Sequence, residues 1–186
     1  MAGNRILGIT QRRELKKLLA NSRGRLYRMA YAWTHDTHLA DDLVQQTLCK
    51  ALSRSRQLKD MGAAEAWLFR IMSNCLKDYH RAKREVLSAD ELVVVDEATP
   101  ERETQKQQLV LKVRRAVSEL PLAQCQVITL VDLEGFAYAT VADILEIPVG
   151  TVMSRLCRGR RALRESLTEI RPQAERARAA TVSRIK

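Results

Sequence analysis

At 186 residues the chain is long enough for one domain or two small ones, and an apolar fraction of 46% supports at least one buried core. Lys and Arg total 32 against 22 acidic residues, a net charge of +10, which suits nucleic acid or an anionic surface and leaves the fold open. No run approaches the ~18 apolar residues of a membrane span, and residues 1–9 lack the apolar core of a secretion signal, so a soluble, cytoplasmic protein without membrane insertion of its own is expected.

Charge divides the chain. Residues 1–87 carry +9, residues 88–104 carry −5, residues 105–170 carry +2 and residues 171–186 carry +4. An acidic segment containing Pro100 therefore separates two blocks. Gly and Pro number only 7 and 4, and no alternating apolar runs are flanked by paired turn residues. The expected fold is all-α: two small helical domains joined by a flexible acidic linker, the second containing a helix-turn-helix. The boundaries read as an extension at 1–19, a first domain at 20–87, the linker at 88–105, a second domain at 106–170 and a basic tail at 171–186.

In the first block a helix is predicted over 11–33 and broken at His35-Asp36-Thr37. A second follows over 39–56, with Leu39, Leu43, Val44, Leu48, Ala51 and Leu52 at helical spacing. Opposite that stripe, within a ~140° arc, stand Asp41, Asp42, Gln45 and Gln46. A turn at Asp60-Met61-Gly62 leads to a third helix over 63–84, whose buried stripe is Leu68, Ile71, Met72, Cys75, Leu76 and Tyr79. Arg70, Asn74, Lys77, Arg81 and Arg84 recur along its far side. Such a cationic rail can follow a phosphate backbone, while Asn74 and Ser73 offer hydrogen bonds to base edges.

In the second block a helix over 106–120 carries Leu109, Val113, Ala116, Val117 and Leu120 as its buried stripe and stops at Pro121. A short helix over 122–133 closes at Glu134-Gly135. Two more helices, 138–146 and 151–167, flank the turn Ile147-Pro148-Val149-Gly150. That turn is too short for the helices to lie flat, so they cross steeply as a DNA-reading pair does. On the last helix Val152, Leu156, Leu163 and Leu167 share a ~60° arc; Ser154, Cys157, Arg158 and Arg161 lie opposite, flanked by Arg155, Arg160 and Arg164. Arginine can pair with guanine in the major groove while neighbouring cations hold phosphates. An ordinary solvated basic face is the competing reading, and the steep turn with the core pattern Val141, Ala142, Ile144 and Leu145 speaks against it.

The run from Tyr138 to Leu167, with its core Ile147-Pro148-Val149-Gly150-Thr151-Val152-Met153-Ser154-Arg155-Leu156, resembles the region-four domain of extracytoplasmic-function sigma factors. Leu120-Pro121 and Gln126-Val127-Ile128 fit the same family. The resemblance implies recognition of the upstream, minus-thirty-five promoter element, with Ser154, Cys157 and Arg158 facing bases and Thr151, Arg155 and Arg160 facing phosphates. Met153 departs from the Lys or Arg common in relatives. In the first block Ala40-Asp41-Asp42-Leu43-Val44-Gln45-Gln46-Thr47 resembles the segment that docks on the clamp helices of core RNA polymerase, Gln46 standing where Glu often stands. Trp67-Leu68-Phe69-Arg70-Ile71-Met72-Ser73-Asn74 resembles the minus-ten-reading segment. There the helix and the loop before it (55–64 here) capture an unstacked base, offsetting a few kcal/mol of unstacking. Asn74 is the leading candidate for base contact; Trp67 serves either packing or stacking.

The resemblance spans roughly residues 20–170 and implies a dissociable initiation factor, not an enzyme, that binds core RNA polymerase and promoter DNA and is held by an anti-sigma factor. The acidic segment would thread the polymerase in relatives, and a plain solvated tether fits it as well. Extended, its 18 residues reach roughly 60 Å, which together with the width of one small module covers the ~85 Å between promoter elements about two and a half DNA turns apart. A stand-alone helix-turn-helix regulator is the alternative, and it leaves the first block unexplained. No cofactor is implied. His35 and His38 have metal-ligand spacing without a partner cluster, and Cys49, Cys75, Cys125 and Cys157 are scattered as free thiols of a reducing compartment are.

Overall fold

The computed structural model describes the backbone of residues 3–87 and 105–168, with side chains at 13–84 and 112–167. The acidic linker, the basic tail and Leu109 lie outside that side-chain set. Seven α-helices are described: α1 (Gly3–Thr34), α2 (Thr37–Ser53), α3 (Ala64–Leu87), α4 (Gln105–Ser118), α5 (Leu122–Ile128), α6 (Tyr138–Leu145) and α7 (Val149–Thr168).

Local chemistry sets the breaks. His35 takes a left-handed conformation (φ 53°) that no helix can continue, and the Asp36 carboxylate caps α2 by accepting the Leu39 N–H at 2.9 Å. After α2, short 3-10 turns at Ser55–Gln57 and Met61–Ala63 replace the helix predicted as far as residue 56. The helix expected over 122–133 is α5 followed by a π-helical turn, Thr129–Leu133, whose Thr129 carbonyl accepts the Glu134 N–H at 3.0 Å. Gly135 ends it at φ +75°, a conformation open to glycine. Pro148 precedes the first turn of α7, so Val149 and Gly150 already belong to the helix rather than to the turn.

In the first block α2 packs on both α1 and α3; in the second α7 packs on α5, α6 and α4. The predicted stripes hold at Leu43, Val44, Ala51, Leu68, Ile71, Met72, Cys75, Leu76, Val152 and Leu156, all buried. Two positions are corrected: Leu52 (48% exposed) and Val113 (39% exposed) face solvent rather than the core. Tyr79 is half-buried. The boundary expected after residue 19 falls inside α1, whose Leu15 and Leu19 are core residues.

The two blocks are not held apart. One apolar core runs from Leu15 through Leu156, and α1 touches α4 and α5 while α3 touches α6. Trp33 Nε1 donates to the Thr129 hydroxyl at 2.9 Å, and that hydroxyl donates to the Cys125 carbonyl at 2.7 Å. Phe69 meets Phe136 edge-on at 5.5 Å between centroids. Arg25 lies over the Phe69 ring and pairs with both Glu65 and Glu134.

The four cysteines are free thiols, Cys49 and Cys157 exposed, Cys75 and Cys125 buried. Burial pushes the Cys125 thiol up to about 12, and it donates to the Ala32 carbonyl at 3.1 Å. At pH 8 its thiolate fraction is then on the order of one in ten thousand, so it should resist alkylation. A thiol reagent added to native protein should therefore modify Cys49 and Cys157 first, with Cys75 and Cys125 following only on unfolding. Mass spectrometry showing all four modified at one rate would contradict this burial.

Candidate nucleic-acid interface

α3 presents Arg70, Lys77, Arg81 and Arg84 to solvent, with Asn74 half-buried among them. Lys77 Nζ reaches the Asn74 side-chain oxygen at 3.3 Å. Ser73 is corrected. It is fully buried, and its hydroxyl has no hydrogen-bond partner among the described residues, so in this form it faces no strand. On a helical wheel Ser73 lies ~60° from the centre of the rail, on the side of Phe69, and that flank is where Phe136 closes over α3. Since an unsatisfied buried hydroxyl is costly and Ala is the better helix former, Ser73→Ala should leave the unfolding free energy unchanged or raise it by about 1 kcal/mol. A urea titration showing a loss of that size would refute the assignment.

Sequence reasoning missed part of this face. Lys50 and Arg54, at the end of α2, join Arg70, Lys77 and Arg81 around a cleft of about 620 Å³ whose walls include Trp67 and Ile71. Lys50 pairs with Asp78 at 3.3 Å. The i, i+4 spacing of Lys50 and Arg54 puts them on one side of α2; only the packing of α2 on α3 turns that side toward the rail. Trp67 packs against the core and lines the cleft, so both roles left open for it keep a structural basis.

The cleft has one acidic wall from the second block. Glu146 follows α6 in a left-handed conformation (φ 59°, ψ 49°), and the Ile147 N–H bonds back to the Ala142 carbonyl at 3.1 Å, which closes the helix. Glu146 Oε1 accepts from Arg70 Nη2 at 3.2 Å and Oε2 from Lys77 Nζ at 3.1 Å. Lys77 also donates to the Leu145 carbonyl at 3.0 Å. Hydrogen bonds from Lys77 and then Arg70, with the Lys77 charge, hold the Glu146 carboxyl below the usual carboxylate range.

On α7, Val152 and Leu156 face the core, and Ser154, Cys157, Arg158, Arg160 and Arg161 are exposed, with Thr151 and Arg155 half-buried beside them. Arg158 Nε donates to the Ser154 carbonyl at 3.3 Å. Arg160 is tied to Asp132, its Nε at 3.1 Å from the carboxylate, and Arg161 lies 3.6 Å from Glu165. Gly159 packs where α7 crosses α5: a Cβ there would stand 2.9 Å from Ile128 Cγ1, so the close approach requires glycine. On α2, Asp41, Asp42, Gln45 and Gln46 form an exposed face over the buried Ala40, Leu43, Val44 and Thr47.

Among the described residues no helix is long and apolar enough to cross a membrane, and no group of three potential metal ligands converges.

Family models for Sigma-70 region 2 and Sigma-70 region 4 match residues 18–86 and 111–163 respectively. The chain is 33% identical over 149 residues to the ECF RNA polymerase sigma factor SigL of Mycobacterium tuberculosis, covering 78% of this chain and 84% of that one. It is 32% identical over 158 residues to the ECF sigma factor SigE of Mycolicibacterium smegmatis, covering 82% of this chain and spanning 61% of the relative's length. Among solved structures, the sigma factor RpoE of Bartonella quintana, crystallised with the anti-sigma factor NepR, superposes with a TM-score of 0.71 at 29% identity, covering 83% of this chain and 97% of that chain. With both regions matched in order on one helical fold, the chain belongs to the ECF RNA polymerase sigma factors of the sigma-70 family and is an alternative sigma factor.

Proposed function

We propose that this sigma factor binds core RNA polymerase through the exposed face Asp41, Asp42, Gln45 and Gln46, and reads duplex DNA upstream with α7 while α3 captures the opened strand downstream. Two cationic faces on separate elements, each backed by a buried apolar stripe, support this reading most strongly. Arg158 with Ser154 and Cys157 supplies base contacts; Thr151, Arg155, Arg160 and Arg161 hold phosphates. Along α3 the phosphates follow Arg70, Lys77, Arg81 and Arg84, and a splayed base enters the cleft beside Asn74 and Trp67. Lys50 and Arg54 extend the cationic wall on the α2 side. The domains acting this way are 20–87 and 106–170, and the protein works on DNA in the cell interior without bond chemistry or a cofactor of its own. An anti-sigma factor, as in the RpoE–NepR complex, would hold it inactive. A stand-alone regulator would have no use for the region-2 match at 18–86.

Run-off transcription with purified core polymerase on genomic promoter fragments tests the proposal. New, specific start sites are expected only when this chain is added, and their absence on every fragment would reject it.

A further inference from the structure

We propose that Glu146 is an intramolecular stand-in for a DNA phosphate: seated on Arg70 and Lys77, it plugs the strand-facing cleft and marks a self-closed resting form of the chain. The proposal rests on the reading of α3 as the strand-facing helix.

The geometry is that of an anion bound by two cations. Each carboxylate oxygen takes one donor, Arg70 Nη2 at 3.2 Å and Lys77 Nζ at 3.1 Å, as two non-bridging oxygens of a phosphate would. The Leu145 carbonyl adds a third acceptor at the negative end of α6, 3.0 Å from Lys77. Nothing in the turn itself calls for Glu. The left-handed position after α6 suits Gly or Asn, which adopt it at less steric cost. The side chain that occupies it reaches, across 76 positions of sequence, two members of the rail.

The rest of the molecule agrees with a resting form. Promoter elements about two and a half turns apart are separated by ~85 Å of duplex, whereas here α3 and α6 are in contact and both regions share one core. One body closed in this way cannot hold both elements together. The plug is selective: Arg158, Ser154 and the face from Asp41 to Gln46 stay exposed, so polymerase and upstream DNA can engage first. The Glu146 pairs are themselves half-exposed, weak enough individually for a DNA strand to displace them.

The test uses the full chain, with donor and acceptor dyes on its two exposed cysteines, Cys49 and Cys157. Without DNA, Glu146→Gln and Glu146→Gly should raise the open, low-transfer population about 3- to 10-fold, the range for two exposed ion pairs. Arg70→Glu should open the chain equally, and Glu146→Arg in that background should close it again. Unlabelled Glu146→Gly should also bind a fluorescent single-stranded 12-mer several-fold more tightly. Unchanged energy transfer in both Glu146 variants overturns the proposal. Opening without any gain in oligonucleotide affinity overturns the phosphate stand-in. If opening occurs but Arg70→Ala and Lys77→Ala leave oligonucleotide binding intact in the opened chain, the closed form stands and the strand-facing reading of α3 falls.

Discussion

Arg158→Ala is expected to lower promoter-directed run-off transcription about 10- to 100-fold, by weakening upstream recognition while leaving core-polymerase binding intact. Its guanidinium is exposed on the face of α7 opposite Val152 and Leu156, and a bidentate arginine–guanine pair is worth about 1–3 kcal/mol of discrimination. Asn74→Ala should fail at a different step. It sits half-buried in the cleft beside Trp67 and Lys77, where it can meet an unstacked base but not the upstream duplex. Closed-complex formation should therefore persist in Asn74→Ala while strand opening, read by permanganate reactivity, falls about tenfold. A normal open-complex yield in both variants would remove these residues from the interface.

The second large effect concerns stability. Leu130 is fully buried in the π-helical turn between α5 and α6, while Leu133, three residues on, is 69% exposed. Leu130→Ala is expected to cost about 2–5 kcal/mol of unfolding free energy, and Leu133→Ala to stay within about 0.5 kcal/mol of the parent. The core containing Leu130 also contains Leu26, Trp33 and Leu68 of the first region. Loss at this one position should accordingly lower the urea midpoint of α1 and α3 together with that of α7, followed by hydrogen exchange. Equal midpoints for the two leucine variants, or an α3 indifferent to Leu130→Ala, would contradict a shared core.

Much of this molecule was legible without coordinates. Helical periodicity is a local property, fixed by the 3.6-residue turn, so the stripes of α2, α3 and α7 and the polar faces opposite them could be read from spacing alone. The steep turn at Ile147-Pro148 and the runs around Asp41, Trp67 and Thr151 carried the family resemblance for the same reason: each motif lies within one or two consecutive elements. Asp41, Asp42, Gln45, Gln46, Arg70, Lys77, Ser154 and Arg158 are all exposed, as their places on the wheel required.

Which faces meet across dozens of residues has no local signature, and there the tertiary structure decided. Ser73 was placed beside the rail by spacing, yet Phe136, 63 positions after it in the sequence, packs edge-on against Phe69 and covers that flank. Lys50 and Arg54 join the cleft only because α2 packs along α3. Glu146 reads in the sequence only as the last residue of a helix over 138–146; its pairing with Arg70 and Lys77 exists because α6 packs against α3. A sequence determines what each helix can bury and what it must leave to solvent; the partner chosen for a buried face follows from shape and apolar area summed over the whole core, which no single stretch of chain contains.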